Sequence, residues 1–572
     1  MALIQELNKR KIWQALAVYL GGAWVTIEAI HFLTVKYGWS PLFEDVLITL
    51  VIFGLPAVLI FTWFQSIPEK KKFTKKEIVL YSLNVCIAAY VVINVILSSP
   101  DKITTGNEVS DLSLVVLPLA NLSTNQEDQF FADGITEAIR THLGKISTLK
   151  VTSRNSSDQY RDSPKSAPQI SNDLGARYIL EGSVQKYENK IRINIQLIDG
   201  LSDSQVWTDL YDRMYDDVLA IQSEIAIQIA NQLKLQLSPQ ETQRISRKAT
   251  DNMVAYDLFL KGQQMLRYGN GSENDLDSAI LFFQKAIDLE PDFSLAYAGL
   301  ADAYMFRVIW GRSPSNEVIP VTMKLVMKAL ELDNDLGECY ESLGVMYLFQ
   351  LDYGRAEEYL KKAIALSPNH LESYWWLANT YAITGDLQKV TEYYEKVFDL
   401  DPMTSMYRGF YANIYYNYHK FDESVKIVES VSDDKSKDFV LWHLANNYLE
   451  LGDPEKAIAT YHKRSAGTYT NWTLGYAYSK AGRTEEARKI LDYLLEKRKA
   501  EYVPPYMIAV SYVGLGDFEK ALDWLEKGFD EGPSYVYILG MRSDPKVESI
   551  ENTPRFKALL DKMGIERYDN EM

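Results

Sequence analysis

YESLGVMYLFQLDYGRAEEYLKKAIALSPNHLES, residues 340–373, runs directly into YWWLANTYAITGDLQKVTEYYEKVFDLDPMTSMY, residues 374–407. Laid one over the other, the two stretches superpose Tyr340, Leu343, Gly344 and Tyr347 on Tyr374, Leu377, Ala378 and Tyr381, 34 residues on. The pattern starts earlier, at Tyr297, Leu300, Ala301 and Tyr304. It continues through Tyr411, Ala412 and Tyr415, then Leu444, Ala445 and Tyr448, then Leu474, Gly475 and Tyr478, then Ile508, Ala509 and Tyr512. A second signature accompanies it: Ala279, Phe283, Ala286 and Pro291 share the spacing of Ala356, Leu360, Ala363 and Pro368. The start of that signature recurs at Ala457 and Tyr461, Ala487 and Leu491, and Ala521 and Leu525. Steps of three and four residues mark one face of a helix. A large residue followed by a small one on the first helix lets a second helix approach closely. The alanines of the second helix let it pack on the next unit, and proline ends the unit because it cannot continue a helix. Stacked helix pairs of fixed period form an all-α superhelix, here of roughly eight units over residues 250–535.

These motifs resemble the tetratricopeptide repeat, whose period is ~34 residues. The resemblance covers about half of the chain. It is interrupted by an insertion between Tyr304 and Thr322 containing Trp310-Gly311-Arg312-Ser313-Pro314, and the unit around Ser424 lacks the usual alanines. The resemblance implies a protein- or peptide-binding inner face. Trp375, Trp442, Trp472 and Tyr506, one residue after the leading aromatic position, should face inward, with Asn379, Asn413 and Asn446 beside them. Asparagine carries a donor and an acceptor and suits a peptide backbone in either direction, and tryptophan and tyrosine are rigid apolar anchors. Aromatics and asparagines at these places also occur in this repeat whatever the ligand. Residues 536–572 read as a closing segment, with an amphipathic helix from Thr553 to Ile565 covering the last repeat.

Upstream the pattern changes to mixed α/β over residues 112–240. Strands are expected at Leu112–Leu122, Leu149–Ser153, Tyr178–Tyr187, Ile191–Ile198 and Val206–Tyr211. Helices are expected at Phe130–Ile146, Pro168–Leu174 and Asp216–Leu233. The order β-α-β-α-β-β-β-α implies a mixed sheet with helices packed on it. The stretches Leu117–Ser123, Phe131–Ile135, Tyr178–Val184 and Trp207–Arg213 resemble the TolB N-terminal-like (FlgO-like) domain of bacterial proteins, which is often followed by tetratricopeptide repeats. The block beginning Glu6-Leu7-Asn8-Lys9-Arg10-Lys11 resembles the membrane segment preceding that domain. Relatives often carry a winged-helix DNA-binding domain or a nucleotide cyclase domain before the membrane. Here about a dozen residues precede the first apolar segment, so neither activity is carried over. Asp133-Gly134 near a helix start is better explained by capping or turn chemistry than by a phosphate site. Trp207, Tyr211 and Arg213 are expected to pack or pair at a strand end.

Residues 1–99 hold three apolar segments, Ile12–Leu33, Val46–Phe64 and Ile78–Leu97. Each approaches the ~20 residues that cross a ~30 Å hydrocarbon core as a helix. The first is too long for a secretory signal and two more follow it. Lys9, Arg10 and Lys11 precede the first segment, and Lys70, Lys71, Lys72, Lys75 and Lys76 lie between the second and third. Basic residues stay cytoplasmic, so three spans leave the C-terminal domains outside the cytoplasm, which in a bacterium is the periplasm. Glu28 lies ~24 Å above Ile12 at ~1.5 Å per residue, near the outer interface. Gly21 and Gly22 permit close packing and Pro56 kinks the second span. Residues 100–111 form a polar tether.

The chain carries a net charge of −17; residues 1–99 carry nine basic and six acidic residues, a net of +3, which leaves −20 for the remainder. So acidic a region is a poor polyanion binder, and nucleic acid is not an expected partner. Two cysteines, Cys86 and Cys339, lie too far apart in the pattern to pair readily. Six scattered histidines form no zinc motif, no nucleophile elbow or phosphate loop is present, and pairs such as Glu357-Glu358 and Glu485-Glu486 read as solvated helix faces. No catalytic residue, metal or cofactor is expected. The reading is a multidomain protein of the inner (cytoplasmic) membrane: three transmembrane helices (1–99), a linker (100–111), an α/β domain (112–240) and a repeat superhelix. It acts as an extracytoplasmic adaptor for protein or peptide partners, in an oligomeric state the residues leave open. A signalling subunit using the lysine loop toward a cytoplasmic partner is the first rival, and an enzyme such as a cyclase the second.

Overall fold

The computed structural model describes residues 12–37, 41–65, 75–98, 109–123, 128–187, 189–268, 272–430, 437–464 and 471–568. The chain divides into two compact units, Met1–Gly106 and Asn107–Met572.

The first unit contains three helices, α1 (Ile12–Tyr37), α2 (Pro41–Gln65) and α3 (Lys75–Ser98). α2 packs against both of the others. Gly54 permits the contact with α1, since a Cβ there would collide with the Tyr19 hydroxyl. That hydroxyl donates to the Val51 carbonyl. Large apolar side chains point outward on all three helices, among them Val18 (77% exposed), Trp24 (68%) and Tyr90 (68%). Among the described residues one helix, Val46–Trp63, is long and apolar enough to cross a membrane; Ile78–Val91 is a shorter apolar stretch. The expectation of three such spans is corrected to one on this measure. Lys9–Lys11, Lys70–Lys72 and most of the tether lie outside the described residues.

The second unit opens with β1 (Ser110–Val116), β2 (Ala120–Asn121), α4 (Gln129–Gly144), β3 (Lys150–Val151), the short α5 (Arg154–Ser157), α6 (Ala167–Leu174), β4 (Ala176–Tyr187), β5 (Lys190–Asp199), β6 (Ser204–Met214), α7 (Val218–Gln232) and α8 (Pro239–Ser246). The sheet order is β3-β1-β4-β5-β6, with β2 pairing β4. β1 is parallel to β3 and β4, while β4-β5 and β5-β6 are antiparallel. β1 is buried on both faces from Leu114 to Val116, as a central parallel strand should be. β5 alternates, with Ile191, Ile193, Ile195 and Leu197 inward and Lys190, Arg192 and Asn194 in solvent. Helix α6 covers the second face only behind β1 and β4, so the outer half of that face is bare.

Eight helix pairs follow. They are α9 (Met253–Tyr268) with α10 (Glu273–Leu289), α11 (Ser294–Ile309) with α12 (Ser315–Leu332), α13 (Gly337–Phe349) with α14 (Tyr353–Leu366), and α15 (Leu371–Thr384) with α16 (Leu387–Leu400). Next come α17 (Ser405–Asn417) with α18 (Phe421–Glu429), α19 (Lys437–Glu450) with α20 (Pro454–Tyr461), α21 (Asn471–Lys480) with α22 (Thr484–Lys497), and α23 (Pro505–Gly514) with α24 (Phe518–Asp530). Gly344 shows why the small position exists: a Cβ there would lie 2.6 Å from Leu360 Cγ on the partner helix. Ser424 replaces the usual alanine of α18, and its hydroxyl donates to Ala412 O and accepts from Asn447 Nδ2. In several pairs the recurring tyrosine near the end of the first helix receives a cation from the start of the second. Arg355 lies 4.2 Å from the Tyr347 ring, Lys389 4.5 Å from Tyr381 and Lys456 3.7 Å from Tyr448. Asp352, Asp386, Asp453 and Asp517 cap the second helices, each accepting a backbone N–H three residues on.

Two closing helices, α25 (Tyr535–Ser543) and α26 (Pro554–Met563), complete the chain. They pack on the last repeat, and they also reach back across the array. α25 lies against α15 and α17, and Tyr353 at the start of α14 donates to the Met563 carbonyl at 3.0 Å. The end of α24 meets the start of α12, where Asn316 donates to Asp530 O at 3.0 Å and to Glu531 O at 3.3 Å. The array therefore closes on itself, and the insertion at Trp310–Pro314 leads into the seam. The segment expected only to cover the last repeat does more than that.

Candidate functional site

The residues assigned inward from the repeat pattern do form one row. Ring centroids step from Trp375 to Phe410 (4.8 Å), Phe439 (4.8 Å), Trp442 (6.3 Å), Trp472 (6.5 Å) and Tyr506 (6.1 Å). The row ends on Tyr537 of α25, 6.0 Å further. Phe410 and Phe439, not anticipated from the repeat positions, supply the missing rungs.

The polar groups along this row are engaged within the chain. Trp375 Nε1 donates to the Tyr394 hydroxyl (3.1 Å) and Trp442 Nε1 to Thr473 Oγ1 (3.0 Å). Asn379 Nδ2 donates to Trp375 O (2.8 Å), and its Oδ1 accepts from the Tyr535 hydroxyl. Asn446 Nδ2 donates to Trp442 O (2.9 Å), and its Oδ1 accepts from Tyr461 (3.0 Å). Asn413 is half-buried. Tyr506 donates to Asp544 Oδ2 at 2.9 Å. Asp544 also pairs with Lys546, at 3.4 Å, and Lys546 donates to the Tyr416 hydroxyl. Lys546 is only 2% exposed. The C-terminal segment thus occupies the inner surface. Ile538, Leu539, Met541, Val547 and Ile550 are fully buried there, each worth roughly 1.5–3 kcal/mol relative to exposure. A segment held this firmly is part of the core. The sequence marks this segment as a cover for the last repeat; its contact with the aromatic row was not legible there.

A second constellation joins the α/β domain to the repeats. The carbonyls of Leu332, Leu366 and Leu400, 34 residues apart, end three successive second helices. Leu332 O accepts from Arg247 Nη2 (3.0 Å), Leu366 O from Arg244 Nη1 (3.0 Å) and Leu400 O from the Ser153 N–H (2.8 Å). Helix C-termini carry partial negative charge, which suits these donors. Asn369 Nδ2 donates to Leu149 O (2.9 Å) and its Oδ1 accepts from Val151 N (2.8 Å), so its amide continues the β3 edge. Asp401 accepts from Ser153 Oγ (2.7 Å) and from Ser156. Burial raises the Asp401 carboxyl despite these donors. One apolar core runs from Ile135, Ile139 and Ile225 of the α/β domain into Leu260, Phe283 and Leu300 of the first repeats.

Charged groups cluster beside this joint. Burial opposes the charge on Glu137, but Arg267, Arg140 and Arg154 outweigh it and hold the carboxyl at about 2. Asp133 pairs with Arg161 at 2.8 Å, and a Cβ on Gly134 would meet Leu260 at 2.7 Å. That dipeptide is therefore used for ion pairing and close helix packing. Among the described residues no group of three or more His, Cys, Asp or Glu side chains is arranged to hold a metal ion. Cys339 is buried, and burial pushes its thiol well up.

Family models described as tetratricopeptide repeat match residues 337–370 and 371–402, and again 439–463 and 470–498. These segments are tetratricopeptide repeats. A curated relative, putative adenylate cyclase 3 of Rhizobium meliloti (strain 1021), is 36% identical over 207 residues, which is 36% of this chain and 35% of that protein. The chain thus spans about a third of the relative it matches. Among solved structures, human IFIT1 dimer with m7Gppp-AAAA is 15% identical, covering 54% of this chain and 77% of that one, with a TM-score of 0.37. A tetratricopeptide repeat protein from Parabacteroides merdae ATCC 43184 is 16% identical, covering 55% of this chain and all of that one, with a TM-score of 0.29.

Proposed function

We propose that this protein is a membrane-tethered scaffold that presents its repeats and α/β domain to protein partners outside the cytoplasm. The observation that carries the reading is the joint just described. Three repeat corners pinned at Leu332, Leu366 and Leu400 and one shared core make the two domains a rigid platform without convergent catalytic groups among the described residues. Tetratricopeptide repeats are protein-binding scaffolds. The tether reading rests on the apolar Val46–Trp63 and on the outward apolar side chains of α1 and α3. With the lysines at 70–72, 75 and 76 kept cytoplasmic, a crossing by the shorter apolar stretch Ile78–Val91 would place the second unit outside. The resemblance of Leu117–Ser123, Phe131–Ile135, Tyr178–Val184 and Trp207–Arg213 to the TolB N-terminal-like domain of bacterial proteins supports a bacterial inner membrane as the compartment.

The inner aromatic row is assigned to the folding of the ring, and partner contact to its outer surface. Photocrosslinking amino acids at the exposed Leu281, Met327 and Tyr493 in intact cells are expected to capture partners, and one at Trp442 is not. Capture from Trp442 alone would return the binding site to the inner face. A reporter enzyme fused after Met572 tests the compartment; activity confined to the cytosol overturns it. The adenylate cyclase name borne by the relative motivates a second reading. Cyclic nucleotide formation by the purified chain would support that reading against a pure scaffold.

A further inference from the structure

Strand β6 ends the sheet, and its outer edge pairs with no other strand among the described residues. It is long for an edge, eleven residues, and nearly all of it is exposed. Its solvent face carries Leu210 (56% exposed) and Met214 (45%), with Val206 (37%) at the bulge where the β5 register shifts. The polar residues are of both signs: Asp209, Asp212 and Arg213. Asp212 is already paired with Arg192 and accepts from Tyr187 (2.8 Å). The Leu210 N–H is held by Asp209 Oδ1 at 2.8 Å and so stays covered at the edge. Unprotected edges of this kind template further pairing.

We infer that β6 is a homodimer interface, in which two copies pair edge to edge, antiparallel, about a two-fold axis at Leu210. A two-fold perpendicular to the sheet must keep each residue opposite one on the same face, so the axis passes through a residue. Centring on Asp209 sets two carboxylates directly opposite and Val206 against Asp212. Centring on Tyr211 sets Leu210 against Asp212. Centring on Leu210 matches leucine with leucine and Val206 with Met214. It also places Arg213 opposite the Trp207 ring and diagonal to Asp209 of the second copy, and it leaves no like charges facing. The arginine then takes the Asp209 carboxylate and frees the Leu210 N–H for the new ladder. The regular stretch from Trp207 to Arg213 is symmetric about that centre. The bulge at Val206 limits the pairing to one register, and the exposed backbone groups of the edge are satisfied within the dimer.

The test uses the full chain in detergent micelles and in nanodiscs. The wild type is expected to sediment as a dimer. Leu210→Asp puts two carboxylates face to face on the axis, and the dissociation constant is expected to rise about tenfold or more. Leu210 is exposed, so an unchanged circular dichroism spectrum and melting temperature verify the fold of the variant. Leu210→Cys is expected to link to itself through a short bismaleimide, while Leu122→Cys, remote from β6, is not. The double exchange Asp209→Arg/Arg213→Asp is expected to retain the dimer that Arg213→Asp alone weakens. A monomeric wild type, or a dimer indifferent to Leu210→Asp, overturns the proposal. Neither result bears on partner capture from the repeats.

Discussion

At the residue scale, the informative groups are the buried charges that the fold satisfies internally. Lys546 is enclosed with its near neighbour Asp544 and with the Tyr416 hydroxyl, 130 residues away in the chain. Breaking one partner of a buried pair costs about 3–5 kcal/mol, because the other charge is left uncompensated. Lys546→Met is expected to lower the stability in denaturant by that order; a change near zero would show that Asp544 is relieved by water. His443 gives a pH prediction. It is 1% exposed between Phe439 and Trp442, with ring centroids at 4.4 and 4.6 Å, and burial pulls its pKa down to about 3. The folded state thus prefers the neutral ring. Its stabilisation is complete above the unfolded value of ~6.5 and is lost as pH falls from there toward 3. His443→Phe is expected to flatten the dependence of the melting temperature over that window, and an unchanged slope would assign the dependence to other groups. None of these partnerships was legible in the sequence. His443 reads there as one of six scattered histidines, because its burial depends on how the repeat helices pack.

At the element scale, the repeat helices were legible because a period of 34 residues imposes the same local demands many times over. The large-small-large pattern specifies close helix packing, and the structure places Gly344 against Leu360 accordingly. The strands of the mixed sheet were also legible as elements along the chain, since β5 alternates cleanly and β1 ends in the apolar run Leu114–Val116, although the strand expected over Leu112–Leu122 is divided into β1 and β2. The caps went unread, although Asp352, Asp386, Asp453 and Asp517 each stand three residues before a lysine or arginine. Asp386→Ala is expected to cost about 1 kcal/mol, measured by denaturant unfolding. Loss of the cap also frees Lys389 from its 3.1 Å ion pair, but that exposed pair adds little. Membrane propensity shows the opposite limit. An apolar run reads as a span from its residues alone, whereas among the described residues the helix that satisfies both length and composition is Val46–Trp63, with Ile78–Val91 a shorter apolar stretch.

At the scale of the whole second unit, the C-terminal segment packs on the last repeat and also reaches back to the aromatic row, a contact the sequence did not specify. A helix with an apolar stripe announces that it will be covered, but not by what. Here the partner surface is the row from Trp375 to Tyr506, assembled from five repeats. Deleting residues 534–572 is expected to abolish a single cooperative melt and to expose apolar surface to a hydrophobic dye. A truncated chain melting as sharply as the full one would mean that the row is stable without its cover. The seam between Asn316 and residues 530–531 carries a further consequence. Open solenoids fray from their terminal units, because an end repeat has a neighbour on one side only. With its last helix fastened to its second pair, this array has no loose terminus from which to unravel. Amide exchange should therefore be as slow at its margins as at its middle, and a pull on the far end of the chain should be shared around the loop and not peel away one helix at a time.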